Sequence, residues 1–411
     1  MKKTILTTCT ILLLQFSRAD EGMWLPFLLE QLNISEMQAM GFRLTAEDIY
    51  SVNAGSMKDG AVLFGGGCTG AVISNSGLVL TNHHCGFGSI FRLSTIENNY
   101  LKNGYWATPD KNTEIPCPGL SVTFIISIHD VTSQIIPFTD TATSEISRLQ
   151  IIANRIAEIE KDAIAGTHYQ AQIKPFYYGN AYYMFITEKF TDIRLVAAPP
   201  EALGNFGHET DNWMYPRHTA DFSLFRIYAG KDNTPADYSP QNVPFTPRYH
   251  FPVSLNGVQE NDFTMVYGFP GTTQQFLIPE AVDMQVNKLN TLRLGARDIR
   301  IGVMDKYMQH NDTLYLMYIK KKNDLENAYK KWKGETLGIN VTNSLQKKEM
   351  QETEYLEWAQ KTNSAYLENY SALEDNYTVL ESLLETITLT RESIFGIEAI
   401  SFAQRFDKLA Q

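Results

Sequence analysis

The chain has 411 residues, of which 44% are hydrophobic and 20% are charged, with 26 glycines and 16 prolines. This composition is typical of a folded globular protein and excludes the disordered and collagen-like classes. The 35 basic and 46 acidic side chains give a net charge of −11. This excess of negative charge argues against nucleic acid or an anionic membrane surface as a partner.

Residues 1–19 have the pattern of an export signal. Lys2 and Lys3 form a positive segment, residues 4–16 are largely apolar, and Ala19 lies where a signal peptidase requires a small residue. We expect cleavage between Ala19 and Asp20. The apolar segment is shorter than the ~20 residues that a membrane-spanning helix needs. The mature chain is therefore expected outside the cytoplasm, in the periplasm or at the surface of a bacterium, where disulfides persist.

Strand signals dominate the chain as far as residue 279. Thr45 and Asp48 form a plausible capping pair for an early helix, and a second helix is predicted at 144–164 with isoleucine and leucine residues along one stripe. The turn at 74–77 between two β-prone runs predicts a hairpin. The predicted strands are 61–64, 70–73, 78–81, 122–128, 170–178, 182–187, 193–198, 222–228 and 263–267. Strands of this number and length favour a barrel or a sandwich.

The segment 280–411 differs in its punctuation, because it contains no proline and only five glycines. Such a stretch predicts long helices. In 373–387 and 394–409 the apolar residues recur at spacings of three and four, which predicts helices packed on one face.

Three cysteines remain once Cys9 has left with the signal. Cys68 and Cys85 flank the predicted hairpin and could pair, and a disulfide closing a loop of this size stabilises by ~3 kcal/mol in the chain-entropy model. Cys117 is then either a buried thiol or the partner of a cysteine outside this chain.

The stretch GCTGAVISNSGLVLTNHHC, residues 67–85, resembles the first-barrel signature of chymotrypsin-like serine peptidases. His84 holds the position of the histidine in that signature. A general base must lie within ~3 Å of its nucleophile with one tautomer enforced, and a disulfide at Cys85 would help to fix the backbone. Two alternatives stay open: His83, His84 and Cys85 could be part of a metal site, or both histidines could be ordinary surface or turn residues.

An imidazole base needs a carboxylate to orient it, and Asp221 is the best candidate because it opens an apolar strand. On its own this signal is weak, since an aspartate before a strand is usually a turn residue. The neighbouring His208, Glu209, Asp211 and His218 could equally be metal ligands or a hydrogen-bonded loop.

Longer strings make the resemblance closer. They are ADEGMW, TNHHCGFGSI, KPFYYGNAYY, RLVAAPPEALGNFGHETDNWMYPRHTADFSLFRIYAG, ENDFTMVYGFPGTT and NAYKKWKGE. From residue 20 to about residue 340 the chain resembles the bacterial dipeptidyl-peptidase 7 and 11 family, exported serine exopeptidases with a chymotrypsin-like double barrel and an inserted α-helical domain. The resemblance implies that His84 is the base, that Asp221 is the orienting acid, and that Asn212, Trp213 and Asn327 bind the free amino terminus of the substrate.

The last of these roles makes physical sense. An enzyme that releases dipeptides must measure two residues from a charged amine, and the amide oxygen of Asn212 or Asn327 can accept hydrogen bonds from an ammonium group while Trp213 offers its ring face. A blocked amine would leave these groups unpaired. Without the family, Trp213 would be interpreted as a core residue and Asn327 as a solvated helix position. The position of Asn327 implies a helical lid over the cleft.

The family's nucleophile is a serine in a Gly-Asn-Ser-Gly-like loop of the second barrel, and residues 222–411 contain no such loop. Ser76 imitates the motif but precedes His84 in the predicted first barrel, and the glycine turn at 268–271 contains no serine. We therefore expect an amino-terminal part of an exported dipeptidyl peptidase that is inactive alone. A non-catalytic peptide-binding pseudo-peptidase is the alternative hypothesis.

A third hypothesis is an exported metalloprotein built on His83, His84, His208 and His218. The predicted fold class is β plus α. It comprises a signal at 1–19, the first barrel of a chymotrypsin-like (trypsin-like) peptidase domain at 20–278, and an incomplete α-helical lid at 279–411, with the second barrel absent. Oligopeptides are the expected substrates, and we expect no metal, organic cofactor, nucleic acid or membrane partner. A homodimer is implied by the resemblance alone.

Overall fold

The computed structural model describes residues 23–108, 113–141, 144–272, 274 and 276–406. The predicted signal and its Ala19–Asp20 cleavage site lie outside this part of the chain. The described residues form two compact units, the first from 23–61, 124–188 and 247–267, and the second from 62–123, 189–246 and 268–406. No helix in the described part is long and apolar enough to span a membrane. The domain boundaries at 19 and 278 stay predictions.

The strands in the described residues are β1 (Ala61–Phe64), β2 (Cys68–Val72), β3 (Leu78–Thr81), β4 (Tyr105–Trp106), β5 (Ile115–Pro116), β6 (Val122–Asp130), β7 (Gln170–Phe176), β8 (Ala181–Phe190), β9 (Asp192–Ala198), β10 (Ser223–Ala229) and β11 (Val243–Pro244). The helices are α1 (Leu29–Leu32), α2 (Ile34–Ala39), α3 (Ala46–Ile49), α4 (His83–Leu93), α5 (Tyr100–Asn103), α6 (Glu145–Ala163), α7 (Glu201–Gly204), α8 (His208–Asp211), α9 (Pro279–Asp283), α10 (Asn290–Met308), α11 (Asp312–Val341), α12 (Ser344–Thr362), α13 (Ser364–Leu389) and α14 (Glu398–Gln404). A π-helical segment, Met284–Leu289, joins α9 to α10, and another, Thr390–Ile394, follows α13.

In the first unit, β6, β8 and β7 lie side by side, and α6 is in contact with β7. Ser144 caps α6 by accepting a hydrogen bond from the backbone of Ser147. Ile152 and Ile159 are buried in a cluster with residues of β7 and β8. Ile146 and Leu149, which the sequence pattern places on the same stripe, are instead exposed, because the cluster covers only the part of α6 from Ile152 onward.

A second cluster of the first unit holds the early helices together. Thr45 and Asp48 form the predicted capping box at the start of α3. The cluster comprises Leu29, Ile34, Met37, Phe42, Ala46 and Ile49. Phe263 and Tyr267 pack against it as side chains of an irregular segment. The strand predicted at 263–267 is therefore wrong: this backbone pairs with no strand in the described part, and its apolar side chains fill a helical cluster instead.

The second unit contains an antiparallel sheet in the order β4-β9-β10-β3-β2-β1, followed by the first residues of β6. Phe64 and Phe225 are fully buried in its core, with their ring centroids 4.9 Å apart. The strands predicted at 61–64, 78–81, 193–198 and 222–228 agree with β1, β3, β9 and β10 to within one residue.

The predicted long helices are confirmed as α10 to α13. Arg297 of α10 donates to both carboxylate oxygens of Glu392 at 2.9 and 3.0 Å and lies over the Trp332 ring at 4.4 Å. The expectation of a continuous buried face is only partly met, because Leu373 and Leu380 of α13 are exposed. Residues 407–409 of the predicted last helix lie outside the described residues.

Candidate active site

The structure brings His84 and Asp221 into direct contact, although 137 residues separate them in the sequence. The His84 Nδ1 atom lies 2.7 Å from Asp221 Oδ2, and the His84 backbone N–H donates to Asp221 Oδ1 at 3.0 Å. The carboxyl is 15% exposed and the imidazole 69% exposed. When Nδ1–H donates to the carboxylate, Nε2 carries the lone pair and is accessible.

Strand register explains this contact. Strand β3 ends at Thr81, Asn82 is extended, and α4 begins at His83. Strand β10 pairs antiparallel with β3 so that Ser223 lies opposite Thr81. Asp221 therefore lies beside the first turn of α4, where backbone N–H groups have no intrahelical partner. Its carboxylate caps a helix that Asn82 does not cap with its own side chain.

The capping contacts also set the protonation of Asp221. Burial alone would raise its pKa, but the hydrogen bonds from the His84 ring and from the backbone N–H groups of His84 and His83 outweigh burial. The pKa therefore lies below the ordinary aspartate value. The group is ionised at neutral pH, as an acid that orients an imidazole must be.

Cys68 of β2 and Cys85 of α4 form a disulfide with an S–S distance of 2.06 Å. It ties the first turn of α4 to the sheet next to His84. The possibility of a metal site at His83, His84 and Cys85 is wrong, because a disulfide sulfur is not a thiolate ligand and because His83 is 1% exposed while His84 faces solvent. Cys117 is a free, buried thiol.

His83, the first residue of α4, packs its ring against Gly204 of α7. Burial is the main cause that lowers its pKa, so the ring is neutral. Its Nε2 atom is buried and has no hydrogen-bond partner among the described residues. Gly204 is required opposite it, since a Cβ there would lie 2.5 Å from His83 Cδ2.

The four-histidine metal hypothesis is not supported. Within the described part of the chain, neither His83, His208 nor His218 belongs to a set of three side chains whose possible ligand atoms lie within 4.8 Å of one another. His208 Nδ1 instead lies 3.2 Å from the side-chain Nδ2 atom of Asn205. The 205–213 segment is thus the hydrogen-bonded loop that the sequence left as an alternative.

The three residues that the resemblance assigns to amine binding meet in the second unit. Asn327 Oδ1 accepts a hydrogen bond from Asn212 Nδ2 at 3.0 Å and another from Trp213 Nε1 at 2.8 Å. Trp213 is 58% exposed and has a positive φ of 59°. A non-glycine residue in this region is strained, so contacts from elsewhere must hold the loop in shape.

Helix α11 supplies those contacts through two side chains one turn apart. Asn327 bonds to Asn212 and Trp213, and Lys330 donates to the backbone oxygens of Glu209 and, at 2.7 Å, Thr210. Residues three apart lie on the same face of a helix. Lys330 was not among the predicted site residues, and the signal that indicates it in the sequence is its position one turn after Asn327.

Ser76, the serine that imitates a nucleophile motif, is held elsewhere. Its hydroxyl and backbone oxygens accept from Arg226 Nη1 at 2.8 and 2.7 Å. Arg226 also donates to Glu114. Burial, together with the Glu114 carboxylate, raises the pKa of Tyr228 to about 12. Strand β3, four residues or roughly 13 Å long at ~3.3 Å per residue, lies between Ser76 and His84 in the chain. Ser76 is therefore a structural turn residue.

A family model described as Peptidase S46 matches residues 19–411. The chain belongs to the peptidase S46 family. Curated relatives in this family include an Asp/Glu-specific dipeptidyl-peptidase of Capnocytophaga gingivalis, 46% identical over 94% of this chain and 55% of its own length. Dipeptidyl-peptidase 7 of the same organism is 40% identical over 87% of this chain and 50% of its length.

Solved structures agree with the family. The fold is similar to that of Porphyromonas endodontalis DPP11 in complex with the dipeptide Arg-Asp, with a TM-score of 0.81, 38% identity, and coverage of 90% of this chain and 54% of the other. The crystal structure of that DPP11 described without a ligand gives a TM-score of 0.80. This S46 chain thus spans about half the length of the relatives that it matches.

Proposed function

We propose that this S46 chain carries the base, the orienting acid and the amine-binding residues of a serine-type dipeptidyl peptidase. The observation that supports this most directly is the His84–Asp221 pair, with a 2.7 Å bond at Nδ1 and a solvent-accessible ring. The family relationship to dipeptidyl peptidases gives the pair its reaction. The sheet of the second unit corresponds, in this proposal, to the first barrel of a chymotrypsin-like double barrel.

In the proposed mechanism His84 takes a proton from a serine hydroxyl through Nε2 and returns it to the leaving amine. Asp221 holds the imidazole in the required tautomer and stabilises the imidazolium that forms. The serine and the oxyanion hole come from the half of the relatives' length that these 411 residues do not span. The chain alone is therefore expected to be inactive, since loss of a nucleophile removes several orders of magnitude in rate.

Asn212, Trp213 and Asn327 would bind the free α-ammonium group of an oligopeptide. Fixing the amine at one point and cutting at another sets the length of the product at two residues. Export to the periplasm or cell surface belongs to the same proposal, as does a homodimer, and both rest on the signal-like residues 1–19 and on the family. Relatives of both names match this chain, so no preference for acidic or apolar residues is proposed.

A peptide-binding pseudo-peptidase is the second candidate. One observation supports it: the three residues assigned to amine binding meet at Asn327 Oδ1 through hydrogen bonds that involve neither His84 nor Asp221. The amine-binding residues would then serve capture of peptides without cleavage.

The deciding experiment begins with the coding DNA beyond codon 411. If the frame continues into a Gly-Asn-Ser-Gly loop, the full-length product is assayed for dipeptide release by mass spectrometry. His84→Ala should then reduce the rate by about 10⁴-fold or more, while His129→Ala, at an exposed histidine bonded to Ser127, should leave it unchanged. A stop codon followed by unrelated sequence would reject the catalytic proposal for this protein and leave peptide binding to be tested.

A further inference from the structure

The residues proposed to bind the amine have few acceptor atoms that are still free for a substrate. Asn327 Oδ1 already receives two donors, Asn212 Nδ2 and Trp213 Nε1. Since a carbonyl oxygen has two lone pairs, this atom is saturated. Both lone pairs of Asn327 Oδ1 are thus used within the protein, an arrangement that favours a positioning role for Asn327 over direct acceptance of the ammonium. Asn212 Oδ1 receives no hydrogen bond from the described residues.

Glu209 is bonded to the same Asn212 side chain. Its Oε2 atom accepts the second hydrogen of Asn212 Nδ2 at 2.9 Å, so one carboxylate and one amide form a joined pair of acceptors. The side chain is half-buried. In the part of the chain that the structure describes, no lysine, arginine or histidine forms an ion pair with it. The nearby Lys330 ammonium is bonded to backbone oxygens of Glu209 and Thr210.

A half-buried carboxylate without a cation partner is an attractive site for one, because partial desolvation strengthens its attraction for a positive charge. An α-ammonium group has three N–H donors and a full positive charge. A charge-assisted hydrogen bond to a carboxylate is roughly twice as strong as a neutral one. The asparagine oxygens alone offer only dipoles, so a carboxylate beside them would add a charge that distinguishes an ammonium group from a neutral amide.

We propose that Glu209 supplies the counter-charge that recognises the α-ammonium group of the peptide, together with Asn212 Oδ1. This inference rests on the proposed function and adds to it a specificity-determining carboxylate. Asn327 and Glu209 accept the two amide hydrogens of Asn212, and Trp213 holds Asn327 in place, so that the Asn212 oxygen faces the ligand.

The test uses the full 411-residue chain and two probes, trialanine amide and its N-acetyl form, titrated while the Trp213 indole N–H resonance is followed by NMR. Glu209→Gln keeps an oxygen for Asn212 and removes only the charge. It should weaken binding of trialanine amide about tenfold and leave the N-acetyl peptide unaffected. Glu201→Gln, which removes the same charge from the preceding short helix α7, is the matched control and should bind like the wild type.

Three outcomes would overturn the inference. If the wild type prefers the free amine and Glu209→Gln keeps that preference, Glu209 is not the counter-charge, but the amine site of the proposed function stands. If Glu209→Gln weakens both peptides equally, the residue only shapes the loop. If the wild type binds neither peptide, or both alike, the amine site itself is rejected and with it that part of the proposed function.

Discussion

Replacing Asp221 by asparagine tests whether one carboxylate both caps α4 and sets the tautomer of His84. The two oxygens of Asp221 accept from the His84 backbone N–H and from the ring at Nδ1. An asparagine has only one oxygen. The backbone N–H is a fixed donor, so it takes that oxygen, and the amide NH₂ then faces Nδ1. Nδ1 must become the acceptor, and the proton moves to Nε2.

The expected cost follows from the same contacts. Asp221→Asn loses one hydrogen bond to a charged, largely buried group and the negative charge at a helix N-terminus, together about 2 kcal/mol of the free energy of unfolding. The pKa of Asp221 is lowered by folding. Its contribution is therefore present above the unfolded-state pKa of about 3.9 and is lost as the pH falls through the lower folded-state value. The stability difference between wild type and variant should shrink below about pH 4.

Two measurements check this on the 411-residue chain. Nitrogen NMR of labelled histidines should report Nδ1–H for His84 in the wild type and Nε2–H in Asp221→Asn. Urea unfolding at pH 7 and pH 3 should give the stability difference and its decline. Asp237→Asn, at an exposed aspartate of the same unit, serves as the control. A variant that keeps the Nδ1–H tautomer and unfolds within about 0.5 kcal/mol of the wild type at pH 7 would refute the shared role.

Three further predictions follow from local contacts. Cys85→Ser opens a disulfide between positions 17 residues apart and should lower the free energy of unfolding by about 3 kcal/mol, measured by urea unfolding; equal stability of the variant and the oxidised wild type would contradict it. Gly204→Ala places a Cβ 2.5 Å from His83 Cδ2 and should cost about 1–3 kcal/mol in the same assay, and a neutral result would show that the ring moves freely. Burial raises the pKa of Cys117 to about 12, so a thiol reagent at pH 8 should label it only after unfolding; rapid labelling of the native chain would contradict this.

The hairpin and strand β10 were predictable because their signals are local. The turn at 74–77 and the alternation in β10 indicate strands without reference to the rest of the chain. Once two strands pair, their register decides which end residues meet, and the contact of Asp221 with His84 follows from Ser223 lying opposite Thr81.

The strand predicted at 263–267 failed for the opposite reason. Its apolar residues have the composition of a strand, but a strand also needs a partner edge, which no local pattern supplies. Phe263 and Tyr267 instead pack on the early helices. The contacts of Glu209 and Lys330 with the residues proposed for amine binding were not predictable for a similar reason, since they depend on where α11 lies against the 205–213 loop.

In the proposed peptidase, the position of helix α11 determines the length of the released product. His84 lies at the proposed site of cleavage and is anchored to the sheet by a disulfide and a capped helix. The loop at 209–213 lies at the proposed amine site, and Asn327 and Lys330 hold it to the 30-residue helix α11. If the proposed function holds, the length of the released product depends on the distance between His84 and this loop. A shift of α11 by about 3.5 Å, the length of one residue in an extended peptide, would then change the product from a dipeptide to a single amino acid or a tripeptide.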